Sequence, residues 1–372
     1  MTDSVLLILN SGSSSVKFQV FTNTSELTSL AHGKISDLGT EPQFSACNET
    51  QPEQKTVKSL AIDFNHIQSI QEILDWINHQ NNWTVSAVAH RVVHGGVQFP
   101  QSVLVTKDIF NQLKQLNPLA PLHQPHNLVA IEIIHRMFPQ LPQIACFDTA
   151  FHAQHSPLFT VYALPQYLQE QGIRRYGFHG LSYEWIAHTL KNKHTQLAQG
   201  RIITAHLGNG ASLCAMHKGV SIDTTMGLTA LDGLPMGTRC GSLDPGAITY
   251  MIRELGLSPS DVEQILYNDS GLLGLSGLTN NVKELQESQD EKAQFALDYF
   301  CLKTAQFMGM MAISLGGVDG IVFTGGIGEN SEIIRTNILA RLEVLRPFSV
   351  LIIPANEEKM MAMHALDLLR TM

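Results

Sequence analysis

The chain has 372 residues, of which 44% are hydrophobic and 15% charged, a composition typical of a soluble globular protein with a large core. Its length favours two domains over one. The net charge of -9 argues against nucleic-acid and membrane partners, since broad affinity for either needs a basic surface. The five cysteines are scattered and form no C-x-x-C pair, which fits a reducing, cytoplasmic location and argues against structural zinc.

The first predicted element is a hairpin around residues 10–15, Asn-Ser-Gly-Ser-Ser-Ser. Apolar residues 5–9 precede this stretch and residues 16–21 follow it as a half-apolar run, so the pattern predicts strand, tight turn and strand. Backbone N–H groups and hydroxyls in such a turn suit a phosphate. A Ser/Gly turn without any ligand is equally compatible with this stretch taken alone.

The rest of the first half predicts a mixed sheet flanked by helices. A third strand is expected at 29–35, and 41–59 is expected to be a surface excursion of the sheet. Apolar spacing predicts an amphipathic helix at 66–79. A buried strand at 85–93, helices at 107–116 and 125–138, and a strand at 143–147 that leads into Asp148 complete this half.

The second half repeats this order of elements. The predictions are a helix over 180–190, a hairpin over 202–216, a strand at 219–223, a long Gly-rich loop over 224–246, a capped helix from 258, a helix at 291–315 that is buried on nearly every side, strands at 321–324 and 350–353, and a final helix from 356. The fold class is therefore α/β, with two similar halves.

Small-residue turns follow predicted strands at 10–15, 208–212 and 325–330. Three such turns, far apart in sequence, are able to converge on one nucleotide. None has the Walker A pattern, and none has a complete G-x-G-x-x-G, so a Rossmann dinucleotide site is disfavoured.

Seven motifs occur in order along nearly the whole chain: L-N-S-G-S-S-S-V-K-F (9–18), H-R-V-V-H-G-G (90–96), C-F-D-T-A-F-H (146–152), R-R-Y-G-F-H-G (174–180), H-L-G-N-G-A-S (206–212), M-G-T-R-C-G-S-L-D-P (236–245) and F-T-G-G-I-G-E-N-S (323–331). Together they resemble the ordered motif set of the acetate kinases. The resemblance implies two duplicated domains of the actin-like, ribonuclease H-like type with an interdomain cleft. Residues 1–148 plus 357–372 would form the N-terminal domain, and 149–356 the nucleotide-binding domain.

The resemblance also implies the reaction and its partners. ATP would transfer its γ-phosphoryl group to acetate, giving ADP and acetyl phosphate, with Mg²⁺ as cofactor, Mn²⁺ as a possible substitute, and a homodimer as the assembly. Acetate is already ionised at neutral pH, with a pKa of about 4, so no catalytic base is required. Direct in-line transfer, dominated by positioning and electrostatics, is therefore expected.

Roles for individual residues follow from the same resemblance. Arg91 and Arg239 would hold the acetate carboxylate and the transferring phosphoryl group, Asp148 would act at the metal, and His179 would hydrogen-bond the phosphoryl oxygens. The acetate methyl group would lie against Val93, Leu122, Phe178 and Ala230.

The implied nucleotide and metal residues fall into three turns and the last helix. Asn10 and Lys17 would belong to the first phosphate turn, and Asn10 and Glu357 would bind the metal. The second turn would use His206, Leu207, Gly208, Asn209 and Gly210. The third turn, at the adenosine, would use Gly325, Gly326, Ile327, Gly328 and Asn330.

Three stretches depart from the family pattern: Ser242 replaces the usual acid, Ala230 the usual proline, and 359–365 an Ala-Arg-Glu-Thr run. Two alternatives therefore remain open, a propionate or butyrate kinase and an ATP-binding module without catalysis. His90 and His94 suggest a zinc site, but their spacing on a strand separates them by about 13 Å, which disfavours it.

Overall fold

In the computed structural model, which describes residues 3–80 and 83–371, the chain divides into two compact units. Unit 1 comprises Met1–Ala150 and Asn356–Met372, and unit 2 comprises Phe151–Ala355. Within the described ranges, no helix combines the length and the apolar character needed to cross a membrane.

Unit 1 is built on an eight-stranded sheet with the strand order β5-β4-β3-β2-β1-β6-β8-β7. The strands are β1 (Asp3–Ser11), β2 (Val16–Thr22), β3 (Ser29–Ser36), β4 (Gln43–Asn48), β5 (Thr56–Ser59), β6 (Trp83–Val92), β7 (Val103–Leu104) and β8 (Gln143–Phe147). The helices between them are α1 (His66–Asn78), α2 (Lys107–Gln115) and α3 (Gln124–Met137), with 3-10 turns at Asn117–Leu119 and Ala150–His152.

Unit 2 contains a five-stranded sheet with the order β11-β10-β9-β12-β13. Its strands are β9 (Arg201–Leu207), β10 (Ala211–His217), β11 (Val220–Thr224), β12 (Gly320–Thr324) and β13 (Ser349–Ile352). Its helices are α4 (Pro157–Thr160), α5 (Gln166–Glu170), α6 (Gly180–Lys193), α7 (Pro245–Arg253), α8 (Pro259–Asn268), α9 (Gly271–Ser276), α10 (Val282–Glu287), α11 (Glu291–Leu315), α12 (Gly325–Asn330) and α13 (Glu332–Ala340), with 3-10 turns at Leu197–Gln199 and Glu343–Leu345. The last helix, α14 (Glu357–Leu369), returns to unit 1 and contacts β1, β6 and β8.

The two sheets share one topology. In unit 1, β3, β2 and β1 are antiparallel, and β6 and β8 continue in parallel; in unit 2, β11, β10 and β9 are antiparallel, and β12 and β13 continue in parallel. The prediction of two duplicated α/β units, each with a mixed sheet flanked by helices, is confirmed.

Local signals explain most element ends. Asn65 caps α1 in a capping box with Gln68, and the helix buries an Ile/Leu face against the sheet core. Ser258 caps α8 in the same way, with Asp261 as its partner and Pro259 in the first turn. The predicted helix starts at these positions are confirmed.

Three predictions need correction. Residues 41–59 are more than a surface excursion, because β4 and β5 continue the sheet. Helix α11 is not buried on nearly every side, since Phe295, Met310 and Ile313 are 58%, 54% and 83% exposed. The glycine stretch after β12 is not an open turn but the short helix α12, whose Gly325 has φ +78°.

Candidate active site

In unit 1, Arg91 stands near the end of β6 and is held by two carboxylates. Its Nε and Nη2 donate to the two oxygens of Asp148 at 2.9 and 2.8 Å, and Nη1 lies 3.3 Å from Glu357 Oε2. Asp148 follows β8, the parallel neighbour of β6, while Glu357 begins α14. These elements bring together three predicted site residues that are far apart in sequence.

The guanidinium of Arg91 is fixed in its charged state, while burial raises the pKa of Asp148 despite its pairing with Arg91. Burial alone would lower the pKa of Arg91, but the carboxylates of Asp148 and Glu357 raise it above its ordinary value. The neighbouring Glu358 has its pKa raised by burial and by the charge of Glu357. Unit 1 therefore holds a permanent guanidinium whose planar fork is oriented by Asp148, as carboxylate recognition requires.

Two amide side chains on α3 fix the backbone around this cluster, and the sequence prediction missed them. Gln124 exchanges hydrogen bonds with the N–H and C=O of His94 at 3.0 and 2.9 Å. Asn127 accepts from Val93 N at 3.0 Å and donates to Ser11 O at 2.6 Å. Both side chains are buried. The available signal in the sequence was a pair of amide side chains near the start of a predicted helix, because such groups need hydrogen-bond partners when they are buried.

The other predicted residues of unit 1 lie at the first turn and on two loops. Asn10 and Lys17 are direct partners in the β1–β2 hairpin, with Asn10 half-buried and Lys17 exposed. Val93 is half-buried, and Leu122 is 41% exposed, so its side chain does not lie in the core of unit 1.

In unit 2, the turn between β9 and β10 is lined by predicted side chains. A Cβ atom built at Gly210 would lie 3.3 Å from His179 Nε2 and 3.9 Å from Arg239 Nη1. A Cβ atom at Gly208 would lie 3.9 Å from His206 Nε2 and 4.0 Å from Gly326 N. Gly210 O is also 3.3 Å from the Cβ position at Gly208, so the turn is bounded by a carbonyl as well as by side-chain and backbone nitrogens, and the nitrogens are the groups that suit phosphate oxygens.

Arg239 differs from Arg91 in its partners. Its Nη1 donates to the backbone carbonyl of Ala230 at 3.0 Å, and among the residues that the structure describes no carboxylate pairs with it. Burial lowers its pKa, an effect that Tyr267 partly offsets. A half-buried guanidinium without an internal counter-ion is a suitable anchor for an anionic ligand.

The acid missing at Ser242 does not leave an empty position beside Arg239. Ser242 donates to Asp232 at 2.6 Å, and Arg175 pairs with the other oxygen of Asp232 at 3.0 Å. The loop over 224–246 is thus fixed by an internal network. Phe178, the remaining predicted pocket residue, is buried, with 2% of its surface exposed.

The third predicted turn is the N-terminus of α12. Gly325 N donates to Glu329 at 2.8 Å, and Asn330 donates to Gly326 O at 2.8 Å. Gly325 needs its left-handed backbone and its missing Cβ, which would come within 2.8 Å of Leu207 O. Ile327 and Gly328 lie inside this helix. Asn209, in the turn between β9 and β10, is exposed and accepts a hydrogen bond from Asn280 at 3.0 Å.

His90 and His94, which lie outside these clusters, make structural contacts. His90 contacts Gln143 Oε1 at 2.8 Å, and His94 accepts from Gly96 N at 2.8 Å. Within the described part of the chain, no group of three or more His, Cys, Asp or Glu side chains has the arrangement of a metal site. The interpretation of His90 and His94 as structural is consistent with this geometry.

Comparisons with known proteins show that the chain is similar to one family over most of its length. The profile of the Acetokinase family matches residues 5–349. Acetate kinases from Nitrobacter hamburgensis and Rhodopseudomonas palustris are 42% and 46% identical to this chain, covering 98% and 90% of it and 96% and 85% of their own lengths.

Solved structures extend the similarity to three dimensions. A propionate kinase from Francisella tularensis superimposes with a TM-score of 0.90 at 36% identity, covering 97% of this chain and 98% of its own. An acetate kinase from Porphyromonas gingivalis gives a TM-score of 0.88 at 31% identity, covering 98% and 100%. On the family profile and these relatives, the chain belongs to the Acetokinase family.

Proposed function

We propose that this protein is an acetate kinase that transfers the γ-phosphoryl group of ATP reversibly and directly to acetate, giving acetyl phosphate and ADP. The observation that carries the proposal is the donor-lined turn of unit 2, where His179 Nε2 and Arg239 Nη1 both lie next to Gly210. Phosphoryl transfer needs donors fixed around the equatorial oxygens and no base for an ionised acceptor.

The residues divide into two groups by unit. In unit 1, Arg91 would hold the acetate carboxylate, and Asn10 and Lys17 would contact phosphate. In unit 2, the β9–β10 turn and the start of α12 would bind the polyphosphate and adenosine, with His179 and Arg239 at the transferring group. The proposal thus assigns the acetate carboxylate to unit 1, and the adenosine and most of the polyphosphate contacts to unit 2.

The proposed metal is Mg²⁺, with Mn²⁺ as a possible substitute. Carboxylate oxygens are its preferred protein ligands, and one or two usually suffice. Asp148 gives both oxygens to Arg91 at 2.9 and 2.8 Å, whereas Glu357 is held by Arg91 at the longer distance of 3.3 Å. The donor set fits a site at Glu357, with Asn10 as the second candidate, and the metal would neutralise phosphate charge there.

Hydroxamate trapping tests the function. Purified full-length protein with ATP, Mg²⁺ and acetate should form acetyl phosphate, which hydroxylamine converts to a coloured hydroxamate. The reverse reaction, from ADP and acetyl phosphate, should yield ATP. ATP binding without any hydroxamate would instead support a nucleotide-binding module without catalysis.

Propionate is a second candidate acceptor, because Ala230 stands where the family pattern has proline. The backbone carbonyl of Ala230 accepts a hydrogen bond from Arg239, which supports a position for this residue at the site. Alanine leaves more room than proline, and one methylene in an apolar pocket is worth about 1–3 kcal/mol. Ala230→Pro should therefore lower kcat/KM for propionate more than for acetate. An unchanged ratio in an active variant would remove Ala230 from the acyl pocket.

We also propose a cytoplasmic homodimer. Helix α11 exposes an apolar face that includes Phe295, Met310 and Ile313. Because a large exposed apolar patch is typical of an interface, this face supports a dimer in which it is buried against a second copy of the chain. Sedimentation should give a dimer, and Ile313→Asp should weaken it, while an exposed change such as Val220→Asp should not. A monomeric wild-type protein would contradict this assembly.

A further inference from the structure

Behind the glycine turn of unit 2, His179 is bonded to a serine that also contacts a tyrosine. His179 Nδ1 lies 2.8 Å from Ser212 Oγ, and the Tyr183 hydroxyl forms a hydrogen bond with the same oxygen. Ser212 and Tyr183 have 0% of their surface exposed. Ser212 is on β10 and Tyr183 on α6, so two packed elements hold the two hydroxyls in line with the ring.

The acidity of the three groups sets the direction of these hydrogen bonds. A phenol, with a pKa of about 10, is a stronger donor than an aliphatic alcohol. Tyr183 is therefore assigned as the donor to Ser212, which leaves the single hydrogen of Ser212 available for His179 Nδ1. A neutral imidazole that accepts at Nδ1 carries its proton on Nε2.

A second serine makes the same contact with the neighbouring histidine. Ser182 Oγ lies 2.8 Å from His206 Nδ1, and the rings of His179 and His206 stack with centroids 4.3 Å apart. Two positive imidazolium rings at this separation would repel each other, which disfavours charging both rings at once. With both Nδ1 atoms engaged by serines, both rings direct Nε2 toward the glycine turn.

The turn is where a donor is needed. His179 Nε2 would lie 3.3 Å from a Cβ at Gly210, and Arg239 Nη1 is on the same side of that residue at 3.9 Å. We propose that Tyr183 and Ser212 are positioning residues that keep His179 in the Nε2–H tautomer, so that it donates to phosphoryl oxygens. This inference rests on the role of His179 in the proposed function.

The test begins with the tautomer and needs no catalysis. In full-length, ligand-free protein with ¹⁵N-labelled histidine, near pH 8, His179 should show a protonated Nε2 and an unprotonated Nδ1; the His179→Gln variant identifies its signals. Tyr183→Phe keeps the ring volume but removes the hydroxyl, and should give a mixture of the two tautomers. Ser212→Ala should do the same, and Tyr176→Phe, which removes a phenol bonded to Gly172 O, should not.

Kinetics provide the second measurement. Tyr183→Phe should lower kcat about tenfold, as expected for general hydrogen-bond positioning, with KM for ATP within about twofold of wild type. In a His179→Gln background the same change should have no further effect, because residues that act through one another are non-additive.

Two results would overturn the proposal. One is a His179 tautomer that stays unchanged in both Tyr183→Phe and Ser212→Ala. The other is a loss of kcat on Tyr183→Phe that is equally large with His179→Gln present, which would indicate a packing effect. If the wild-type protein made no acetyl phosphate, the proposed function would fail, whereas the tautomer measurement would still decide this inference.

Discussion

Arg91 and Arg239 are both half-buried guanidinium groups, yet their surroundings differ. Arg91 is paired with Asp148 and Glu357, while Arg239 donates to a backbone carbonyl and, in the described parts of the chain, meets no carboxylate. A paired arginine is oriented before the ligand binds, and an unpaired one gains a counter-ion only from the ligand. We therefore expect a bound anionic ligand to stabilise the buried charge of Arg239 more than it stabilises the charge of Arg91.

Replacing Arg239 with lysine should abolish most of the activity. Lysine keeps the charge but lacks the planar fork, and loss of a fixed donor to a transferring group typically lowers kcat by about 10²–10³-fold. Steady-state kinetics of Arg239→Lys check this expectation, with circular dichroism to verify folding.

Arg201→Lys is the matched control, since Arg201 lies in the same unit and pairs with Asp319 at the start of β9. Its turnover should stay close to that of wild type. Full activity in Arg239→Lys, with Arg201→Lys equally active, would place Arg239 outside the reacting groups.

At the scale of elements, helix α3 connects the strand that carries Arg91 to the first turn. Asn127 satisfies Val93 N–H and Ser11 C=O, and both groups would lose their partner on substitution. An unsatisfied buried polar group costs about 1–3 kcal/mol. Asn127→Ala should thus lower the free energy of unfolding by about 2–4 kcal/mol, measured by urea denaturation.

Asn117→Ala serves as the comparison for Asn127→Ala. Among the residues that the structure describes, the buried Asn117 Oδ1 atom has no hydrogen-bond partner, so removing it leaves no newly unsatisfied group there. Its free energy of unfolding should change by much less. Equal losses for the two variants would mean that the hydrogen bonds of Asn127 are not what stabilises α3 against β6.

Elements were predictable from sequence where local chemistry determines them. The cap at Ser258 and the hairpin at 10–15 depend on neighbouring residues, and the structure has them as expected. The capping box at Asn65 has the same local cause but was not predicted. The exposed face of α11 was not predictable, because apolar content does not reveal which side meets a partner. The helix at 325–330 was missed because glycine has a low helix propensity, which packing of Gly325 against Leu207 overrides.

The candidate site shows the same division. Sequence motifs identified Arg91, Asp148, His179 and Arg239, whose chemistry is visible in their residue types. The supporting groups, such as Gln124, Asn127 and Tyr183, were not identified, because their role depends on contacts between elements distant in sequence. The roles assigned to the site residues remain predictions.

At the scale of the whole molecule, each of the two duplicated units contains a pair of buried neutral histidines. Burial lowers the pKa of His90 and His94 in unit 1 to about 4. Burial also lowers the pKa of His152 to about 4 and of His155 to about 3 in unit 2. His90 illustrates the cause: its Nδ1 is buried without a partner, so a proton placed there would have no acceptor.

These histidines should make both units sensitive to acid in the same pH range. Their pKa values in the folded state lie below the ordinary value of 6.5, so the unfolded chain binds more protons between pH 6.5 and 4. The stabilisation by the neutral buried rings is complete above pH 6.5. It is lost progressively as the pH falls from 6.5 to the folded-state pKa, by up to about 1.4 kcal/mol per pH unit for each histidine. Asp319, whose pKa is lowered to about 2, contributes its own loss only at lower pH.

Urea denaturation at pH 7, 6 and 5 measures this loss, and it should be steep between pH 6 and 5. His155→Gln removes one titrating group, so its free energy of unfolding should fall with pH by about 1.4 kcal/mol per unit less than in wild type. His188→Gln, at a half-buried histidine whose side chain contacts Asn192, should keep the wild-type slope. The summed loss expected from four histidines approaches the whole free energy of unfolding of a typical domain, so it should be easy to detect. A free energy of unfolding that stays constant from pH 7 to 5 would show that these rings are not neutral and buried in solution.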